Sequence, residues 1–232
     1  MRQGVLVSLV LAGVLAIGVA AQASAPEGRI KLQFVTFMHG KMPEQDVFIE
    51  KAASSDGVYR TTSLENPSAP LYASAIPVPE NPFNPKDLGP YQKGRALGIT
   101  LGQWLAATGS GTLDCRGGAG TLNATFTKLV PNGVYTVWYH FGSAQPTSPA
   151  LAFDLPLGAI DGTQNIFRSD EAGNASFKLA VKPCLQLSGD YVAAVLAIAW
   201  HSDGKTYGIG PGPMGQSTHV QLLVELPKAR GL

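Results

Sequence analysis

The chain has 232 residues, 17 Lys plus Arg against 16 Asp plus Glu, and only 14% charged residues. A nucleic-acid binder would carry a basic stripe to displace counterions, and a membrane-surface protein a polybasic or amphipathic helix. Neither is present, so we expect no nucleic-acid partner and no membrane insertion once the amino-terminal segment has been removed.

That segment has the layout of a signal peptide: Arg2 as its only charge, an apolar run from Val5 to Val19, then small residues. Of the two small-x-small sites, Ala21-Gln22-Ala23 is favoured, because cutting after Ala25 would put the rigid Pro26 next to the scissile bond. Residues 1–23 are therefore expected to be removed before Ser24 and the protein to be secreted or periplasmic. Loss of Arg2 brings the basic and acidic counts into balance. Roughly 209 residues remain, enough for one large all-β domain or two small ones.

Partial alternation from Arg29 to Phe37 reads as a strand, with Ile30, Leu32 and Phe34 on one face. A second β signal spans Val47 to Thr62 around a Ser-Ser-Asp56-Gly57 turn, with a short helix from Pro43 as the alternative. Residues 24–65 are thus expected to supply amino-terminal strands. Between Asn66 and Pro90 lie seven prolines, which exclude a helix interior or a central strand. Residues 66–90 read as a long loop or linker, and residues 91–232 as the main body, one domain with the first strands.

Thr100-Leu-Gly-Gln103 has the form of a capping box, predicting a helix of about two turns that ends near Gly109. Strands and turns follow. Thr121–Thr127 alternates, Pro131-Asn132-Gly133 turns the chain, and a mostly apolar strand runs from Val134 to Phe141. A similar unit comes again: Asn174–Val181 alternates, Ser188-Gly189-Asp190 turns, and Tyr191 begins a strand ending at His201. After a Gly- and Pro-rich stretch a last strand runs from Val220 to Leu226. Cys115 and Cys184, an even count in an oxidising compartment, are expected to form one disulfide. The 27 Gly and 17 Pro spread through the chain suit short strands joined by turns.

Leu129-Val-Pro131-Asn-Gly133-Val-Tyr135-Thr-Val137 resembles the tyrosine-corner segment of fibronectin type III and related immunoglobulin-like sandwiches. Asp170-Glu-Ala172-Gly173-Asn-Ala175-Ser-Phe177 is similar to a turn-and-strand piece of exported bacterial immunoglobulin-like domains. The resemblance implies an all-β, antiparallel β-sandwich, here with a long Pro-rich loop and one short helix. It also implies that the Tyr135 hydroxyl bonds backbone upstream and pins a crossover between sheets. The usual Cys and Trp spacing of that pattern is missing. Such a fold specifies no activity.

Gly204-Lys205-Thr206 superficially matches a P-loop ending, but Ala199 stands where the first glycine belongs and no helix follows. Gly-x-Ser-x-Gly, His-Glu-x-x-His and Cys-x-x-Cys are all absent. Asp154, Asp161, Asp170 and Glu171 lie among turn residues, where Asp usually caps backbone. Asn123-Ala-Thr125 and Asn174-Ala-Ser176 match the N-glycosylation acceptor, which matters only in a eukaryotic source.

Four histidines remain: His39, His140, His201 and His219. His201 ends one strand and His219 begins the next, so antiparallel pairing would set both at one end of a sheet. His140 ends the strand after Tyr135 as His201 ends that after Tyr191, which predicts that it faces the same end. Three imidazoles, with Asp203 as ligand or orienting group, would suit Cu or Zn. Met38 and Met42 flank His39 and would add soft ligands, though Met at a strand end is ordinarily core. The leading expectation is an exported, soluble, non-enzymatic binding or structural module for a protein, glycan or small ligand. The alternative is a Cu- or Zn-binding protein or metalloenzyme using His140, His201, His219 and Asp203.

Overall fold

The computed structural model describes residues 28–51, 57–64, 66–78, 87–143, 152–185 and 191–226. The expected signal peptide and its cleavage site lie outside these residues. The elements in chain order are β1 (Gly28–Phe34), β2 (Phe48–Ile49), β3 (Gly57–Arg60), β4 (Pro70–Ser74), β5 (Tyr91–Thr100), α1 (Leu101–Leu105) and β6 (Thr108–Arg116). They continue with β7 (Ala119–Thr127), β8 (Val134–Ser143), β9 (Ala152–Pro156), β10 (Ile166–Arg168), β11 (Ala175–Val181), β12 (Tyr191–His201) and β13 (Thr218–Glu225).

Two antiparallel sheets form the sandwich. The first has the order β1-β6-β7-β11, and the second β10-β8-β12-β13 with β9 also paired to β8. The β6–β7 hairpin turns through Gly117 and Gly118, both at positive φ, the pair of conformations a tight two-residue turn requires. Inward residues of both sheets share one core: Phe34, Leu113 and Leu122 from the first meet Val137, Leu196 and Leu222 from the second. Phe167 joins the layers, stacking on Phe126 of β7 and on Tyr135 of β8 with ring centroids 5.2 Å apart in each pair.

Past Phe34 the chain leaves the first sheet and pairs with the second, where Val35 and Leu223 exchange two backbone hydrogen bonds. Phe37 and Met42 then pack on the outer side of β8, β12 and β13 against Trp138, Ala199 and Val220. The second sheet is therefore covered on both faces there. This accounts for the absence of polar alternation in Val134–Phe141, since strands buried on both sides read as continuous apolar runs.

The remaining strands form a closed cycle, β2-β3-β5-β4, around Phe48, Val58 and Val78. Three readings of the sequence are corrected by these elements. The Pro-rich stretch contains β4, which pairs with both β2 and β5; Pro70 is its first residue, and Leu71–Ser74 is free of proline. No helix starts at Pro43. The capping box is present, with Thr100 accepting from the Gln103 N–H and the Gln103 side chain accepting from the Thr100 N–H, but α1 stops at Leu105 and β6 begins at Thr108. Cys115 and Cys184 form the disulfide, their Cα atoms 5.8 Å apart across a 69-residue separation. No helix among the described residues is long and apolar enough to cross a membrane.

Candidate functional site

Antiparallel pairing of β12 with β13 sets His201 opposite Thr218 and Trp200 opposite His219, so these two imidazoles share one end of the second sheet. His140 goes to the other end. β8 runs antiparallel to β12, with Val134 opposite His201 and His140 opposite Val195. There His140 Nδ1 lies 2.8 Å from Asp154 Oδ1. Asp203 accepts from the Tyr207 hydroxyl at 2.7 Å and the Lys205 N–H at 3.1 Å, within its own turn. The three-imidazole centre is therefore not assembled, and no three His, Cys, Asp or Glu residues among those described gather to hold a metal ion. Met38 and Met42 pack against different apolar clusters, and His39 Nδ1 lies beside Thr36 Oγ1 at 3.1 Å.

His201 is buried in a chain of hydroxyls. The Trp138 indole donates to Thr136 Oγ1 at 2.6 Å, and Thr136 Oγ1 lies 2.7 Å from His201 Nε2. Burial holds this imidazole neutral and pulls its pKa down to about 4. His219, fully buried against Trp200, donates from Nδ1 to the Asp46 carbonyl at 2.6 Å. Its Nε2 lies 2.7 Å from Ser202 Oγ, which also receives Arg95 Nη2 at 2.6 Å. Burial lowers the His219 pKa to about 4 as well.

Behind His219 lies a group of carboxylates that the sequence pattern did not mark. Glu44 accepts from the Trp104 indole at 2.9 Å and the Met38 N–H at 3.0 Å. Asp46 accepts the Val220 N–H through Oδ2 at 3.1 Å, while its buried Oδ1 has no hydrogen-bond partner among the described residues. Desolvation raises both to about 7 against the lowering effect of these hydrogen bonds. Arg60, itself buried, donates to the Gln45 carbonyl and to the carbonyl of Asp87. The only sequence trace of the group is Glu44-Gln-Asp46 set directly before the apolar Val47-Phe48.

A second surface lies on the outer face of the first sheet, a concavity of about 670 Å³. The register aligns Lys31, Thr112, Asn123 and Lys178 in one rung across four strands. The next rung is Gln33, Ser110, Thr125 and Ser176. On the inner side a Cβ at Gly109 would lie 2.5 Å from the Phe126 ring, so the missing side chain lets that ring pack directly on β6. Lys31 and Lys178 stand on the two edge strands, about 14 Å apart over three strand spacings. Neither carries an ion pair among the described residues.

No protein-family description, curated protein or solved structure matches this chain.

Proposed function

We propose that the protein is an exported module that binds an acidic polysaccharide strand along the outer face of its first sheet. The observation that carries this reading is the pair of rungs between Lys31 and Lys178. Hydroxyl and amide groups at Ser110, Thr112, Asn123 and Thr125 both donate and accept, as sugar hydroxyls require. The flanking ammonium groups supply the charge that sugar carboxylates would meet. Protein interfaces are anchored instead by aromatic and large apolar side chains in pockets, and the outward positions of these rungs are all polar. Export is supported by the signal-peptide layout and agrees with the disulfide, which persists in oxidising compartments. The four-stranded sheet also gives a rigid base for recognition.

Calorimetric titration with oligogalacturonate tests the reading, with neutral dextrin as the control. Saturable binding that weakens with salt is expected for the acidic oligomer alone. Lys31→Glu with Lys178→Glu should abolish it while leaving the melting temperature unchanged. Binding that survives this double reversal would refute the assignment of the face.

A further inference from the structure

We propose that Ser202 is a nucleophile activated by His219, forming an acyl-transfer site for carboxylic esters at the end of the second sheet. The arrangement has the three parts such a site needs: a hydroxyl within reach of a base, and a base oriented by a third group. Ser202 Oγ is 2.7 Å from His219 Nε2, and His219 Nδ1 is 2.6 Å from the Asp46 carbonyl oxygen.

The hydrogen-bond network also fixes the tautomer. A carbonyl oxygen only accepts, so Nδ1 carries the proton and Nε2 presents its lone pair to Ser202. Arg95 donates to Ser202 Oγ at 2.6 Å, and the hydroxyl proton has two acceptors in reach, His219 Nε2 at 2.7 Å and the Ser217 carbonyl at 3.3 Å, of which the imidazole is the nearer. The same guanidinium places positive charge beside the oxygen that must become nucleophilic.

His201 provides the contrast within the same fold. Its Nε2 lies at the same distance from a hydroxyl, that of Thr136, but Thr136 is 2% exposed and already holds the Trp138 indole. No ester carbonyl could reach it. Ser202 is half-buried on a turn directly after β12, and Arg95 beside it is exposed. The β2-β3-β5-β4 cycle holds Arg95 there: Ser74 and Val78 donate backbone hydrogen bonds to Gly215 and Met214 of the loop between β12 and β13.

In the step assigned to this site, Ser202 Oγ attacks the carbonyl carbon of an ester and its proton passes to His219 Nε2. The carbonyl π electrons move onto oxygen, where the Arg95 guanidinium receives the negative charge. Collapse of the tetrahedral intermediate breaks the bond to the leaving alkoxide, which takes the proton from His219. Water then attacks the acyl-Ser202 ester by the same path, releasing the acid and restoring the hydroxyl.

A fluorophosphonate probe tests this, because it phosphonylates an activated serine with loss of fluoride. One label per chain is expected, on the peptide containing Ser202. It should be absent from Ser202→Ala, which should keep the wild-type melting temperature, and from protein unfolded in urea. His219→Gln should also remove the label. Should that variant fail to fold, Ser202→Cys supplies a second readout, as the disulfide leaves it the only free thiol. Arg95 should then depress the thiol pKa, so that iodoacetamide alkylation has its midpoint well below the ordinary value of about 8.5. No label on Ser202, equal labelling of the unfolded chain, or an alkylation midpoint at or above that ordinary value would overturn the proposal.

Discussion

Tyr135 and Gln221 meet across 86 residues of chain: the Tyr135 hydroxyl donates to Gln221 Oε1 at 2.7 Å while accepting the Val130 N–H at 2.8 Å. It thereby ties the crossover from the first sheet into β8 to the last strand of the second. Gln221 in turn donates to the Trp104 carbonyl at 3.1 Å, which brings α1 into the same chain of bonds. Tyr135→Phe leaves the buried Gln221 Oε1 and the half-buried Val130 N–H without their bond, and orphaning the buried group costs about 1–3 kcal/mol. A clear drop in the urea midpoint is expected, and Gln221→Leu should cost less in the Tyr135→Phe background than alone. Strict additivity of the two substitutions would show that the bond is not formed.

The disulfide joins Cys115 to Cys184, and both residues are fully buried. Closing a 69-residue separation removes denatured-state entropy equivalent to about 4 kcal/mol on the chain-entropy model. Cys115→Ala with Cys184→Ala should lower unfolding stability by that order, measured by denaturant titration. The wild-type protein should show no thiol titre, folded or unfolded, until it is reduced.

Four buried groups make opposing demands on pH. Glu44 and Asp46 have folded pKa values raised to about 7, so the native state binds their protons more tightly, and stability rises as pH falls from about 7 toward 4. His201 and His219 have folded values lowered to about 4, so the unfolded state binds their protons first, and stability falls as pH drops from about 6.5 toward 4. Two groups of each sign overlap in one window, and the wild-type melting temperature should be nearly flat from pH 6.5 to 4.5. Glu44→Gln with Asp46→Asn removes one side of the balance. In that variant the melting temperature should fall steadily over the same range. A flat profile in the double variant would contradict the opposition of the two pairs.

The close approach of the Phe126 ring to β6 gives a steric prediction. A Cβ at Gly109 would lie 2.5 Å from that ring and 3.2 Å from the Phe34 Cβ. Gly109→Ala should therefore destabilise the sandwich by about 1–3 kcal/mol, the usual cost of overpacking a filled core. Phe126→Leu should recover part of the loss in thermal unfolding, because it withdraws the ring.

Features set by neighbouring residues were legible in the sequence. The Thr100–Gln103 capping box depends on a four-residue window, and the strands before and after Pro131-Asn132-Gly133 follow from alternation and turn chemistry. β5 was hidden because Gly94 and Gly98 break its pattern. β4 was hidden because proline is counted along a stretch, yet it forbids a ladder bond only at its own position. The histidines divide along the same line. His201 and His219 follow from one loop joining antiparallel strands, whereas His140 was placed by likeness of strand ends. Like sequences on neighbouring antiparallel strands point to opposite ends. Glu44, Asp46 and Arg60 owe their burial to chain that folds over the outer face of the second sheet, and no local pattern records that. Ser202 became visible as a partner of His219 only once β12 and β13 were in register.

The proposed ligand surface is the outer face of the first sheet. Amide chemical-shift mapping of isotopically labelled protein during titration with oligogalacturonate tests it most directly. Saturating shifts are expected at Ser110, Thr112, Asn123 and Thr125, with smaller ones at Lys31 and Lys178. Shifts concentrated instead in the loop from Ser202 to Ser217, or none at saturating oligomer, would contradict it.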